Sequence, residues 1–99
     1  MSFEVTFEVF EEKFFKRLQL QREYRKITAQ TIWTEIYSVI KGGIKATSSY
    51  FGYVQMEDYL QNEASSFLNG SEKRAIYFAF LSYEKWKKNV DAYDFMDVV

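Results

Sequence analysis

Hydrophobic positions recur at helical intervals along most of the chain. From Ser71 onward, Ile76, Phe80, Tyr83, Lys87 and Val90 follow one another at spacings of four, three, four and three. That places them on one helical face, apolar except for Lys87, whose alkyl stem can lie along it. Tyr77, Phe78, Leu81 and Trp86 widen the apolar surface, so this long helix, expected to run to about Val90, is predicted to lie between other elements. Phe7, Phe10, Phe14 and Leu18 predict a first helix from about Phe7 to Leu20, with Thr6 as cap and Glu12–Lys16 as a favourable i,i+4 pair. Ile32, Trp33, Ile36, Tyr37 and Ile40 predict a second, capped by Thr28 and stopped by Gly42-Gly43 in the left-handed region. Gln55 to Ala64 reads as a shorter third helix with Met56, Tyr59 and Leu60 inward.

The connections follow from what is left. Phe3 and Val5 alternate with Glu4 and Thr6, which suits a short extended segment. Gln21 to Ile27 is polar and basic, either a link or an extension of the first helix, and Ile44 to Tyr53 reads as a loop. Asn69-Gly70 makes a turn, with Ser71 expected to cap the long helix. Asp94, with Asp97 three residues on, reads as the cap of a fifth helix that is only begun. The expectation is an all-α fold: a small bundle of about four helices in one domain over residues 1–99.

Composition sharpens this picture in two ways. Aromatic residues make up 20% of the chain, so a few large side chains should dominate the core. A chain this short also has limited room to hide them, and an exposed apolar patch would mark a docking surface. Cysteine and histidine are both absent, which removes disulfides, thiolate sites, the commonest metal ligand and the commonest general base. The N-terminus is acidic without an apolar signal core, and the longest apolar run, Ala75 to Leu81, is far short of a bilayer span. The chain is expected to be intracellular, nuclear or cytoplasmic, with no membrane partner.

Charge is balanced at −1 overall but unevenly spread. Lys13, Lys16, Arg17, Arg22, Arg25 and Lys26 gather in one stretch against Glu23 alone. Such a run either solubilises a helix face or contacts phosphates, with Tyr24 placed to stack on a base. Lys41 and Lys45 would extend the patch if the first two helices are antiparallel. Asp91, Asp94 and Asp97 recur at three, which suits capping and a solvated face; a divalent ion would need further oxygen ligands. No Walker A loop and no Walker B strand is present, so the chain carries no nucleotide site of its own.

Several segments together resemble a known family. Tyr93-Asp94-Phe95-Met96-Asp97-Val98 resembles the apolar-Asp-Phe-Asp-Asp-Leu segment of UvrD-like superfamily-one helicases. Ile76-Tyr77 with Phe80 and Tyr83 is similar to the helix that precedes it, and Val54-Gln55-Met56-Glu57-Asp58-Tyr59 to a Leu-Thr-Pro-Glu-Glu-Tyr helix start. Ile32-Trp33-Thr34-Glu35-Ile36 through Ser38, Ile40, Lys41 and Gly42 resembles a eukaryotic branch that includes the TPR-and-ankyrin-repeat-containing helicase-like proteins, as does Val5-Thr6-Phe7-Glu8-Val9-Phe10. Met96, Val98 and Gln55-Met56 depart from the family pattern.

The resemblance implies a helical insertion of the 1B type, which leaves the motor domain and returns to it at the Asp-Phe-like segment. No catalytic residue is implied. The fragment would not be an enzyme alone: the parent would be the DNA- or RNA-dependent ATP hydrolase, with ATP and Mg outside this chain. The expected partners are nucleic acid, through Lys13, Lys16, Arg17, Arg22, Arg25, Lys26, Lys41 and Lys45, and the motor domain of the same parent. The alternative is a protein-docking module of a large helicase-like protein, with self-association of the isolated piece as its sign.

Overall fold

A computed structural model describes residues 3–42 and 52–98. The fold is all-α, a bundle of four helices with one very small sheet. Strand β1 (Phe3–Glu4) leads into helix α1, residues 7–18, where Thr6 Oγ1 accepts the Val9 N–H at 3.3 Å. The middle of α1, Phe10–Phe15, is π-helical, and the Lys16 N–H reaches back five residues to the Glu11 carbonyl. This wider turn brings Phe15 inward beside Phe10, Phe14 and Leu18. An ideal helical period puts Phe15 off the apolar stripe, so the π turn is the reason it joins the core.

A 3₁₀ turn at Arg22–Tyr24 follows. Helix α2, residues 29–40, is α-helical over Ala29–Glu35 and π-helical over Ile36–Ile40, and Thr28 caps it through the Thr31 N–H at 3.1 Å. Gly42 does not stop α2 by turning left-handed, since Gly52 is the positive-φ glycine among the described residues. Its requirement is closeness: a Cβ there would lie 1.8 Å from the Tyr37 carbonyl oxygen. Most of the expected 44–53 loop, Lys45 included, lies outside the described residues.

Helix α3 (Met56–Leu60) and a 3₁₀ turn at Glu63–Ser65 replace the single third helix expected. Helix α4 (Gly70–Asn89) is capped by Asn69, not Ser71. Asn69 Oδ1 accepts the Glu72 N–H at 2.8 Å and Glu72 Oε1 accepts the Asn69 N–H at 3.0 Å, a reciprocal box that outcompetes the serine. Past α4, Asp91 takes the left-handed conformation (φ 54°), and β2 (Ala92–Tyr93) pairs in parallel with β1, Phe3 against Ala92 and Glu4 against Tyr93. A last 3₁₀ turn covers Phe95–Val98.

The core is aromatic. Phe10 meets Trp33 at 5.0 Å and Tyr83 at 5.4 Å between ring centres, and Trp33 sits edge-on to Tyr37 at 4.2 Å. Ile32, Ile36, Ile40, Ile76 and Phe80 are fully buried between α2 and α4. Truncating any buried ring to alanine should cost about 3–5 kcal/mol. Helix α4 is not enclosed on every side: Phe78 and Leu81 face solvent. No helix among the described residues is long and apolar enough to cross a membrane.

Candidate nucleic-acid interface and a buried charge cluster

The basic connection forms one wall of a cleft. Leu20 N–H and Gln21 N–H close the end of α1 onto Arg17 and Leu18 carbonyls, and the 3₁₀ turn then lifts Arg22 and Arg25 outward. Tyr24 points the other way. It is buried, and its hydroxyl donates to the Ala75 carbonyl of α4 at 2.8 Å, so it is not placed to stack on a base. Burial raises its phenol pKa. This bond fastens the turn against the first turns of α4. Between them lies a cavity of about 550 Å³ lined by Arg22, Arg25 and Lys26 on one side and by Ser71, Glu72 and Ala75 on the other.

Arg22, Arg25 and Lys26 are exposed and form no ion pair with a described residue. The positive end of α4 adds to their field, while Glu23 and Glu72 also line the cleft and subtract from it. Lys13, Lys16 and Arg17 are exposed on α1 and do not line the cleft. Lys16 is held by Glu12 at 2.8 Å; that hydrogen bond raises its pKa and lowers that of Glu12.

Lys41 belongs elsewhere. Its ammonium is 3.2 Å from Glu84, 3.3 Å from Asp94 and 2.8 Å from Asp97, with the side chain only 8% exposed. It therefore does not extend the basic patch. Lys87 contacts the same three carboxylates, Glu84 and Asp94 at 2.8 Å and Asp97 at 2.7 Å. The cluster thus joins the end of α2, the last turns of α4 and the C-terminal 3₁₀ turn.

Asp94 is fully buried at its centre. It accepts the Tyr83 hydroxyl at 2.9 Å and the Met96 N–H at 3.0 Å, while Asp97 accepts the Asp94 N–H at 2.9 Å. Capping is as the Asp94–Asp97 spacing predicts, but the expected solvated face is not: Asp94 is inside. Burial pulls the Lys87 pKa down, yet the hydrogen bonds to Asp94, Asp97 and Glu84 outweigh it and hold the ammonium above the usual lysine range. Burial likewise pushes Asp97 up, and its bonds from Lys41, Lys87 and the Asp94 N–H outweigh that, bringing it to about 2. The Tyr83 phenol is raised by burial first and by the Asp94 charge second.

Glu84, Asp94 and Asp97 each bring a carboxylate oxygen within 4.8 Å of the others, the spacing of a cation site. Two ammonium groups already sit among them, so a divalent ion would have to displace both lysines. Asp91, the third member of the sequence spacing, is not part of this set, and Glu84 takes its place.

A second buried acid escaped the sequence reading. Glu35 is 3% exposed and accepts hydrogen bonds from Tyr59 Oη at 2.7 Å and Ser65 Oγ at 2.5 Å. No pattern in the chain flags it, because its donors come from α3 and the turn after it. Lys73, also buried, donates to the carbonyls of Leu60 at 3.2 Å and Asn62 at 2.9 Å, closing the end of α3. The Tyr37 hydroxyl is the one buried side-chain polar atom without a partner among the described residues.

The described residues form a small helical bundle with a cleft walled by three cations. The chain matches no family model, no curated protein and no solved structure.

Proposed function

We propose that this chain is a helical accessory subdomain of a UvrD-like, ATP-dependent helicase and that its cleft holds nucleic acid by the phosphates. ATP and Mg²⁺ chemistry reside in the motor of the parent chain. The observation that carries the reading is the convergence of Arg22, Arg25 and Lys26 on one cleft beside the positive end of α4. Fastening the turn through Tyr24 fixes these cations in place before a ligand arrives.

The test is a titration of labelled single-stranded DNA and RNA at low salt, repeated with Arg22→Glu, Arg25→Glu and Lys26→Glu combined. Binding that weakens linearly with log salt and is lost in the triple variant supports the reading. Binding unchanged by the triple variant, or absent in the wild type and in the full parent, overturns it. A Walker A loop upstream in the parent and an Asp-Glu strand soon after Val99 would support the motor assignment.

The docking alternative has its own observation. Phe78 and Leu81 stand exposed on a helix whose other faces are packed.

A further inference from the structure

Helix α4 turns Ile76, Tyr77, Ala79, Phe80, Tyr83 and Lys87 inward. On its opposite side Arg74, Phe78, Leu81, Lys85 and Lys88 are all exposed, at spacings of four, three, four and three. They make one straight strip about 21 Å long at the α-helical rise. Phe78 is 53% exposed and Leu81 42%. The apolar pair sits in the middle, with a cation at one end and two at the other.

The strip contains no acid. Both acids of α4 are engaged elsewhere: Glu72 in the capping box, Glu84 with Lys41 and Lys87. Arg74, Lys85 and Lys88 form no ion pair with a described residue. Two neighbouring apolar side chains at i and i+3, rimmed by like charges, form the half of a helix–helix contact that anchors a partner helix. The charge selects the partner. A nucleic acid would satisfy the cations and stack on Phe78, but it leaves Leu81 without an apolar match. An acidic amphipathic helix satisfies all five residues.

We propose that the outward face of α4 docks an acidic amphipathic helix of a partner protein. Its apolar side would cover Phe78 and Leu81, with Asp or Glu opposite Arg74 at one end and Lys85 and Lys88 at the other. This surface is separate from the cation wall of the cleft, and the proposal does not depend on the cleft binding nucleic acid.

The probe is a synthetic helix with leucine on one face and glutamate on the other, titrated into the ¹⁵N-labelled chain. A helix with lysine in place of glutamate is the control. Shifts confined to the outward positions of α4, seen with the glutamate helix alone, are expected. Leu81→Ser should weaken binding about tenfold, as for an interface anchor. Lys85→Glu with Lys88→Glu should weaken it comparably while leaving the apolar pair intact. The triple cleft variant should leave it unchanged, which separates failure here from failure of the nucleic-acid reading.

No shift, equal binding of the lysine helix, or binding that survives both variants would overturn the proposal. So would oligothymidine perturbing the strip in place of the peptide, which assigns it to nucleic acid. Self-association abolished by Phe78→Ser would assign the strip to a second copy and overturn it equally.

Discussion

Lys26 and Lys87 carry the same ammonium group in opposite surroundings. Lys26 stands open in the cleft beside Arg22 and Arg25. Lys87 is buried among Glu84, Asp94 and Asp97, with its stem on the apolar face of α4 and its charge 4.9 Å from the centre of the Tyr83 ring. The basic turn therefore offers charge to a ligand at little cost to stability. The C-terminal cluster uses charge to fix how the final turn sits against α2 and α4. Removing a cation should cost binding in the first region and folding in the second.

The largest effect should come from breaking the cluster. Lys87→Met keeps the stem but leaves buried Asp94 with one ammonium in place of two, and should destabilise by about 3–5 kcal/mol, read as a lower urea midpoint. Tyr59→Phe removes one of the two donors to buried Glu35 and should cost about 1.5–3 kcal/mol by the same assay. A loss near zero in either case would mean that these buried acids are not held as described.

Acid should loosen the cluster more gently. Asp97 has a folded pKa of about 2, below its ordinary value, so its contribution is complete above pH 4 and fades as pH falls toward 2. With about a third of the side chain open to solvent screening, that contribution is about 1 kcal/mol. Lys87 has the opposite sense: its raised pKa stabilises fully below the ordinary lysine value, and that stability is lost as pH climbs through the raised one. Stability measured against pH should therefore decline on both flanks, and Asp97→Asn should flatten the acid one.

The smallest effects sharpen the contrast. Tyr37→Phe deletes a buried hydroxyl without a described partner, removes its uncompensated desolvation, and should raise stability by about 1 kcal/mol. The triple charge reversal in the basic turn should stay within about 0.5 kcal/mol, while on the proposed function it should abolish nucleic-acid binding.

These contrasts also show what the chain made legible. Helical spacing disclosed the stripes of α1, α2 and α4, and it flagged Lys87 as lying on an apolar face. The Asn69–Glu72 box was written in the sequence at the right spacing, but Ser71 offered a rival cap beside it. Phe15 was hidden because a π turn changes the period. Asp94 and Glu35 were hidden for a different reason: a short-range pattern reads an acid as a cap or an outward residue. Tyr83, Tyr59 and Ser65 reach these acids only after the chain has folded. Within the basic stretch, composition pointed to cations but not to the cleft. The Tyr24–Ala75 bond gathers Arg22, Arg25 and Lys26 against α4 and leaves Lys13, Lys16 and Arg17 outside.

Lysine acetylation read by mass spectrometry, with and without a single-stranded oligonucleotide, tests the division of labour most directly. The account predicts that Lys26 reacts readily in the free chain and is protected by the oligonucleotide, while Lys41 and Lys87 stay unreactive in both samples. Lys41 and Lys87 reacting as fast as Lys26, or Lys26 left unprotected by saturating oligonucleotide, would contradict it.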